Sequence, residues 1–144
     1  MDRPGDLVPL SSLPSSIVGV GIDIIEIERV RLALERGGDR FLKRVFSERE
    51  AAYCRGKRHP ARHLAARFAA KESVIKALRA PQGLGWLWRA IEVTSAGGPP
   101  ALRLTGRARE RAREIGVASS HLSMSHSDTH AVALVVLARA TPTP

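Results

Sequence analysis

The chain has 144 residues, with 23 lysine or arginine and 14 aspartate or glutamate residues, so its formal charge is +9 at pH 7. This length suits a single core, and 44% hydrophobic residues is too many for an intrinsically disordered protein. The charge favours an acidic partner, which is a nucleic acid, a phosphorylated small molecule or an acidic protein surface. Aromatic residues make up 4%, which counts against a base-stacking surface for single-stranded nucleic acid.

The cellular location is predicted from the lack of a possible internal disulfide, a secretory signal pattern and a membrane-spanning stretch in the sequence. The single cysteine, Cys54, cannot form an internal disulfide, and no secretory signal pattern opens the chain. No apolar stretch approaches the roughly 20 residues that a membrane-spanning helix requires. We therefore expect a cytoplasmic protein that is not an integral membrane protein.

The two ends of the chain differ from its centre. Residues 1–16 are rich in proline and serine without apolar periodicity, which predicts a flexible leader. Residues 140–144 are predicted to be a disordered tail for the same reason. One folded domain is therefore expected over residues 17–139.

The first half of this domain begins with a strand. Ile17–Ile25 is an almost continuous β-branched run, the pattern of a buried strand, and Glu26–Glu35 then resembles a helix that ends at residues 37–38, both glycine. Ser47 with Glu50 three residues later is the capping-box pattern that begins a further helix.

The second half contains the longest helix and most of the strands. Ala61–Arg79 is rich in alanine, leucine, arginine and lysine and is free of glycine and proline, so it predicts a long helix. The remaining predicted elements are a Gly-rich loop at Gln82–Gly85, strands at Ala90–Thr94 and through Leu102 and Leu104, a basic helix at Gly106–Ile115, and strands at His121–Ser127 and Ala131–Ala138. Together they predict an α+β fold in which a small antiparallel sheet packs with a long central helix.

Asp23 is a carboxylate inside the apolar first strand. An unpaired buried carboxylate costs several kcal/mol, so a cation or hydrogen-bond donors must face it. Alternation places Gly19, Gly21 and Asp23 on one face, and we expect the missing side chains to leave room for a ligand. The alternative is a structural aspartate bonded to backbone amides.

The long helix carries Arg67, Lys71, Glu72 and Lys76. Spacings of four residues predict that Arg67 lies beside Lys71 and that Glu72 lies beside Lys76. Such a glutamate–lysine pair is usually only a surface salt bridge. With Asp23, however, Glu72 offers a second hard carboxylate for Mg²⁺, leaving coordination positions for phosphate and water, while Lys76 covers a phosphate oxygen.

Three histidines lie near the C-terminus, His121, His126 and His130. With one distant cysteine and no second cluster, a structural zinc site is disfavoured. His126, at a strand end between two serines, fits phosphate contact or proton acceptance better, and its alternative is an ordinary surface histidine.

Three motifs in this order resemble the bacterial holo-acyl-carrier-protein synthase family. They are Gly-Val-Gly-Ile-Asp-Ile at residues 19–24, Arg-Phe-Ala-Ala-Lys-Glu at residues 67–72 followed by Lys76, and Ser-Met-Ser-His at residues 123–126. The resemblance implies a fold of the 4′-phosphopantetheinyl transferase type, usually a homotrimer with active sites between subunits. It also implies transfer of 4′-phosphopantetheine from coenzyme A to a serine of apo acyl carrier protein, for fatty acid biosynthesis, with release of 3′,5′-ADP.

The resemblance further implies roles for individual residues. Asp23 and Glu72 would be the Mg²⁺ ligands and Lys76 would contact the pyrophosphate. A further set would lie near the phosphates of coenzyme A: Arg67, His126, Lys57 and Arg58. The carrier protein would bind arginines of the first helix: Arg29, Arg36 and Arg40.

The general base and the class of function have open alternatives at this point. The serine proton would go to a metal-activated water, Glu72 or His126. Some relatives carry an acidic residue after the histidine where this chain has Ser127, which weakens a proton relay there. The rival function is a basic nucleic-acid-binding module without catalysis, supported by the charge and by the arginines within residues 103–113, although it leaves Asp23 unexplained.

Overall fold

The computed structural model of the chain describes residues 16–80, 85–95 and 97–141. The predicted leader except Ser16, the predicted loop at Gln82–Gly85 except its last residue, and the last three residues of the predicted tail lie outside them.

The described elements are four α-helices and five strands in the order that the sequence predicts, and a 3₁₀ helix that it did not predict. They are β1 (Ile17–Glu26), α1 (Ile27–Val45), α2 (Glu48–Arg55), α3 (Pro60–Ala77), the 3₁₀ helix (Gly85–Ala90), β2 (Ile91–Thr94), β3 (Ala101–Leu104), α4 (Gly106–Glu114), β4 (Ser119–His126) and β5 (His130–Ala138). The predicted α+β fold is confirmed.

The first helix is longer than the sequence predicts because it resumes after its glycines. Gly38 has φ +48° and ψ −128°, which breaks the helical geometry, and α1 then continues to Val45. Glycine adopts a positive φ at little cost. The two glycines therefore kink the helix instead of ending it.

The strands form two antiparallel sheets. The larger has the order β1-β5-β4, with Asp23 opposite Ala133, and the smaller pairs β2 with β3. Helix α3 packs across β1 and β5, and most of its residues from Leu64 onward are buried. The long central helix is thus the element against which the larger sheet is built.

Gly19 and Gly21 allow the close approach of β1 and α3. A Cβ at Gly19 would lie 1.9 Å from the Ala77 carbonyl oxygen, and one at Gly21 would lie 1.8 Å from the Ser73 carbonyl oxygen. The helix backbone occupies the space that side chains would need. The prediction that these glycines leave room for a ligand was therefore wrong.

A buried ion pair joins the helices to the smaller sheet. Lys71 and Glu50 are 0% and 2% exposed, and the Lys71 ammonium donates to Glu50 Oε1 at 2.7 Å. It also donates to the carbonyl oxygens of Trp88, at 2.8 Å, and Ile91. Glu50 completes the predicted capping box with Ser47, which is confirmed.

The side of the larger sheet that faces away from α3 is apolar and exposed. Val20, Ile22 and Ile24 are 54%, 58% and 65% exposed, and Leu134 of β5 is 40% exposed. We call these four residues the apolar sheet face. Among the described residues, no helix combines the length and the apolar character that crossing a membrane would demand.

Candidate functional site

Asp23 and Glu72 line the same cavity. Its volume is about 280 Å³, and Arg29 of α1 also lines it, opposite a wall of apolar side chains that includes Phe41 and Phe68. The two acids come from β1 and α3, which the close glycine contacts hold together. We call this the carboxylate cavity.

Asp23, which lines this cavity, is paired with Lys76. The Lys76 ammonium lies 3.1 Å from Asp23 Oδ1 and 2.8 Å from the Ile22 carbonyl oxygen, and about half of its side chain remains exposed. The sequence predicts a pair between Lys76 and Glu72 instead. That pairing was wrong, because the β1 carboxylate packs beside α3 where Lys76 reaches it.

Glu72 is bonded to a residue that sequence reasoning missed. Trp88, in the 3₁₀ helix, donates its indole N–H to Glu72 Oε1 at 2.7 Å. The indole packs against Phe68, with ring centroids 5.4 Å apart. The one available signal was the residue type, since a partly buried indole N–H needs an acceptor.

The carboxylate cavity has the chemistry that Mg²⁺ requires. Two carboxylates supply hard oxygen ligands, and Mg²⁺ commonly keeps waters and substrate phosphates in its other positions. In the part of the chain that the structure describes, no group of three or more histidine, cysteine, aspartate or glutamate side chains is placed to hold a metal. Two carboxylates, with other coordination positions left for water and phosphate, are a donor set that fits Mg²⁺.

A second cavity, of about 420 Å³, is lined by Arg67, Lys57 and His126, together with His63 and Ser95. None of the described residues that line it is acidic. We call it the basic cavity. The structure thus brings together three of the residues that the sequence assigns to coenzyme phosphates.

Arg67 is held rigidly at the wall of the basic cavity. It is 3% exposed, donates to Ser95 Oγ at 2.8 Å, and its guanidinium carbon lies 4.4 Å from the Tyr53 ring centroid. Its Nε is buried without a hydrogen-bond partner. A buried guanidinium N–H is costly to leave unbonded, so Arg67 is held here at a cost in free energy.

Two titratable groups in the basic cavity respond to its charge. A hydrogen bond with Lys57 is the main cause that lowers the pKa of Tyr53. Burial, followed by the charges of Arg67, Lys57, His126 and Arg62, lowers the pKa of His63 below its ordinary 6.5. Sequence reasoning missed Tyr53, His63 and Ser95, although His63 lies one helical turn before Arg67.

The other predicted residues are distributed unevenly. Arg29 lines the carboxylate cavity, whereas Arg36, Arg40 and Arg58 are exposed and line neither cavity. The two cavities share no described lining residue. The predicted site residues that line a cavity therefore fall into two separate groups.

Comparison with known protein families identifies the class of protein to which this chain belongs. Residues 19–135 match the 4′-phosphopantetheinyl transferase superfamily. The holo-[acyl-carrier-protein] synthase of Streptomyces coelicolor is 51% identical over 122 residues, which is 84% of this chain and 97% of that protein. The chain belongs to this superfamily and, within it, to the holo-[acyl-carrier-protein] synthase family, so the predicted family is confirmed.

Solved structures agree with this assignment. The Bacillus anthracis holo-(acyl-carrier-protein) synthase in complex with CoA (3′,5′-ADP) matches with a TM-score of 0.70 and 34% identity, covering 88% of this chain and 100% of that one. The Helicobacter pylori synthase in complex with coenzyme A matches with a TM-score of 0.69 and 31% identity, covering 83% and 99%.

Proposed function

We propose that this protein transfers 4′-phosphopantetheine from coenzyme A to a serine of apo acyl carrier protein, releasing 3′,5′-ADP. The observation that carries the proposal is the shared cavity of Asp23 and Glu72, two acids that are 49 positions apart in the motifs of the family. The family's relatives carry this activity in their names. No relative or solved structure named above supports the nucleic-acid-binding alternative.

The enzyme is proposed to depend on Mg²⁺, held by Asp23 and Glu72. When bound, the ion would neutralise part of the negative charge on the pyrophosphate. Lys76 contacts Asp23 and about half of its side chain is exposed, so it can leave Asp23 and contact a phosphate oxygen. As the carrier serine oxygen bonds to the phosphorus of the phosphopantetheine phosphate, the phosphoanhydride bond breaks and its bridging oxygen leaves on 3′,5′-ADP. A preorganised cation at that position stabilises the negative charge that develops on this oxygen.

Coenzyme A is proposed to bind with phosphate groups in the basic cavity. Arg67, Lys57 and His126 supply cationic or polar donors there, and none of the described lining residues is acidic. Arg58 is exposed outside this cavity, so its predicted contact with coenzyme phosphates stays a prediction without a described position to support it. The identity of the general base also stays open between Glu72, His126 and water.

The active site is proposed to form between subunits of a homotrimer. In one protomer, Asp23 and Glu72 line one cavity and Arg67, Lys57 and His126 line another, and the two share no described lining residue. We propose that a second protomer helps to bring these groups to one coenzyme. The apolar sheet face offers the kind of surface that oligomers bury. Ile24 of that face also lines the carboxylate cavity, so a second copy seated there would border Asp23.

The trimer is tested by light scattering of Ile22→Lys/Ile24→Lys. We expect this variant to be monomeric and inactive, while the matched change Ala101→Lys on β3 leaves the assembly intact. A trimeric double variant would contradict the proposed interface.

The carrier protein is proposed to dock on the arginines of α1. The reaction is proposed to take place in the cytoplasm. Arg29 lines the carboxylate cavity, and Arg36 and Arg40 are exposed on the same helix. Arg29→Glu should raise the KM for the carrier and leave the KM for coenzyme A unchanged, with Arg109→Glu on α4 as the control. The transferase domain is proposed to be residues 17–139, flanked by the predicted leader and tail.

The decisive experiment incubates the protein with coenzyme A, Mg²⁺ and an apo carrier protein and looks for the added arm by mass spectrometry. We expect Glu72→Gln to abolish the mass gain without unfolding the protein, whereas Glu110→Gln on exposed α4 has no effect. No mass gain with the unmodified protein would overturn the proposed function.

A further inference from the structure

Trp88 contacts α3 in two ways at neighbouring residues. Its carbonyl oxygen accepts a hydrogen bond from Lys71 at 2.8 Å, and its indole N–H donates to Glu72 Oε1 at 2.7 Å. The main chain and the side chain of one residue are therefore fixed to positions 71 and 72 of the same helix. Such a double attachment sets the direction of the indole relative to Glu72.

The Lys71 contact is itself rigid. Lys71 is fully buried, and its ammonium is also bonded to Glu50 and to the Ile91 carbonyl oxygen. On the ring side, Phe68 packs at 5.4 Å and the Arg44 guanidinium carbon lies 5.9 Å from the indole centroid. The indole therefore has little freedom to leave Glu72.

From this geometry we propose that Trp88 is a positioning residue for the metal ligand Glu72. Its N–H occupies Oε1 and fixes the carboxylate plane, so that Oε2 is presented to the carboxylate cavity. The proposal rests on the proposed function, since it needs Glu72 to be a metal ligand. Partners that orient metal ligands in this way typically change metal affinity by about 10–100-fold when they are removed.

The test uses Trp88→Phe, which keeps an aromatic ring but removes the N–H. Mn²⁺ serves as the probe because carboxylate sites accept it in place of Mg²⁺ and its free form is counted directly by electron paramagnetic resonance. With coenzyme A present and no carrier protein, we expect Trp88→Phe to weaken Mn²⁺ binding by about 10-fold or more. The Mg²⁺ concentration for half-maximal transfer should rise by a similar factor, with a smaller change in kcat at saturating Mg²⁺.

Trp86→Phe is the matched control, because it makes the same chemical change at the chain's other tryptophan. It should leave the Mn²⁺ affinity unchanged. Equal Mn²⁺ affinities for Trp88→Phe and the unmodified protein would overturn the role of Trp88, and so would an equal loss in Trp86→Phe. A lower melting temperature in Trp88→Phe with unchanged Mn²⁺ affinity would assign Trp88 to packing only.

The proposed function is judged separately in the same experiment. If the unmodified protein transfers the arm and Glu72→Gln loses Mn²⁺, the proposed function holds whatever Trp88→Phe does. If the unmodified protein neither binds Mn²⁺ nor transfers the arm, the proposed function fails and the role of Trp88 fails with it.

Discussion

The Lys76 ammonium lies 3.1 Å from Asp23 Oδ1, so the carboxylate that we propose as a metal ligand is paired with a cation of the protein itself. The pair joins residues 53 positions apart in the sequence. Because Lys76 is half exposed and Asp23 is mostly buried, the lysine is the partner that can move. An incoming metal and phosphate would then exchange partners with this pair.

Removal of Lys76 should therefore separate metal binding from transfer. We expect Lys76→Met to lose transfer by about 100-fold, the scale of one preorganised charge contact. Mn²⁺ binding without coenzyme A should stay the same or tighten, because Asp23 no longer has a competing cation. Parallel measurements of transfer rate and Mn²⁺ binding check this, and a loss of Mn²⁺ affinity in the variant would contradict it.

Arg67 should matter for coenzyme binding more than for the chemical step. Hydrogen bonds to charged groups contribute about 1.5–3 kcal/mol, so we expect Arg67→Met to raise the KM for coenzyme A by about 10–100-fold. Ser95→Ala, which removes the side-chain acceptor of Arg67, should have a smaller effect in the same direction. Steady-state kinetics give both values, and Arg109→Met is the control. An unchanged KM in folded Arg67→Met would refute the coenzyme contact.

His63 should make the folded protein less stable at acidic pH. Its folded pKa is below the ordinary 6.5, mainly through burial, so the unfolded chain binds this proton more readily. The free energy of unfolding should therefore fall as the pH drops below about 6.5, and the loss is absent above that pH. In His63→Phe, the melting temperature should decline less between pH 7.5 and about pH 5. Parallel melting curves for the two proteins would be evidence against this account.

The buried pair of Lys71 and Glu50 should be costly to break. Burial lowers the pKa of Lys71. Removing the Lys71 ammonium leaves the buried Glu50 carboxylate without its cation. We expect Lys71→Met to reduce the free energy of unfolding by about 3–5 kcal/mol. Denaturant unfolding measures this, with the exposed Lys43→Met as the control. A loss below about 1 kcal/mol would show that the pair is not needed.

Gly21 should not tolerate even a methyl group. An added Cβ meets the Ser73 carbonyl oxygen at 1.8 Å, which forces β1 away from α3, and overpacking of this kind costs about 1–3 kcal/mol. Gly98→Ala is the matched control, since nothing lies within 4 Å of a Cβ there. The free energy of unfolding should be lower for Gly21→Ala than for Gly98→Ala, and equal values would exclude the close-contact explanation.

The sequence predicted the order of the elements, the capping box and the three motifs that carry the family resemblance. These features are local: a β-branched run, a run of helix formers and the Ser47–Glu50 pair each shape the backbone through residues close together in the sequence. It also predicted that Asp23 and Glu72 would meet, on the strength of the resemblance. The shared cavity agrees with that prediction.

Only the tertiary structure decided which partner each charged residue takes. Helical spacing predicted that Glu72 lies beside Lys76, but Lys76 pairs with Asp23 and Glu72 accepts from Trp88, 16 positions away. It placed Lys71 beside Arg67 and did not predict the anionic partner of Lys71, which is Glu50. Periodicity gives only the neighbours on one element, whereas these contacts depend on how elements distant in sequence pack. Gly19 and Gly21 are decisive here, because their missing side chains let β1 approach α3 closely enough for Asp23 to reach Lys76.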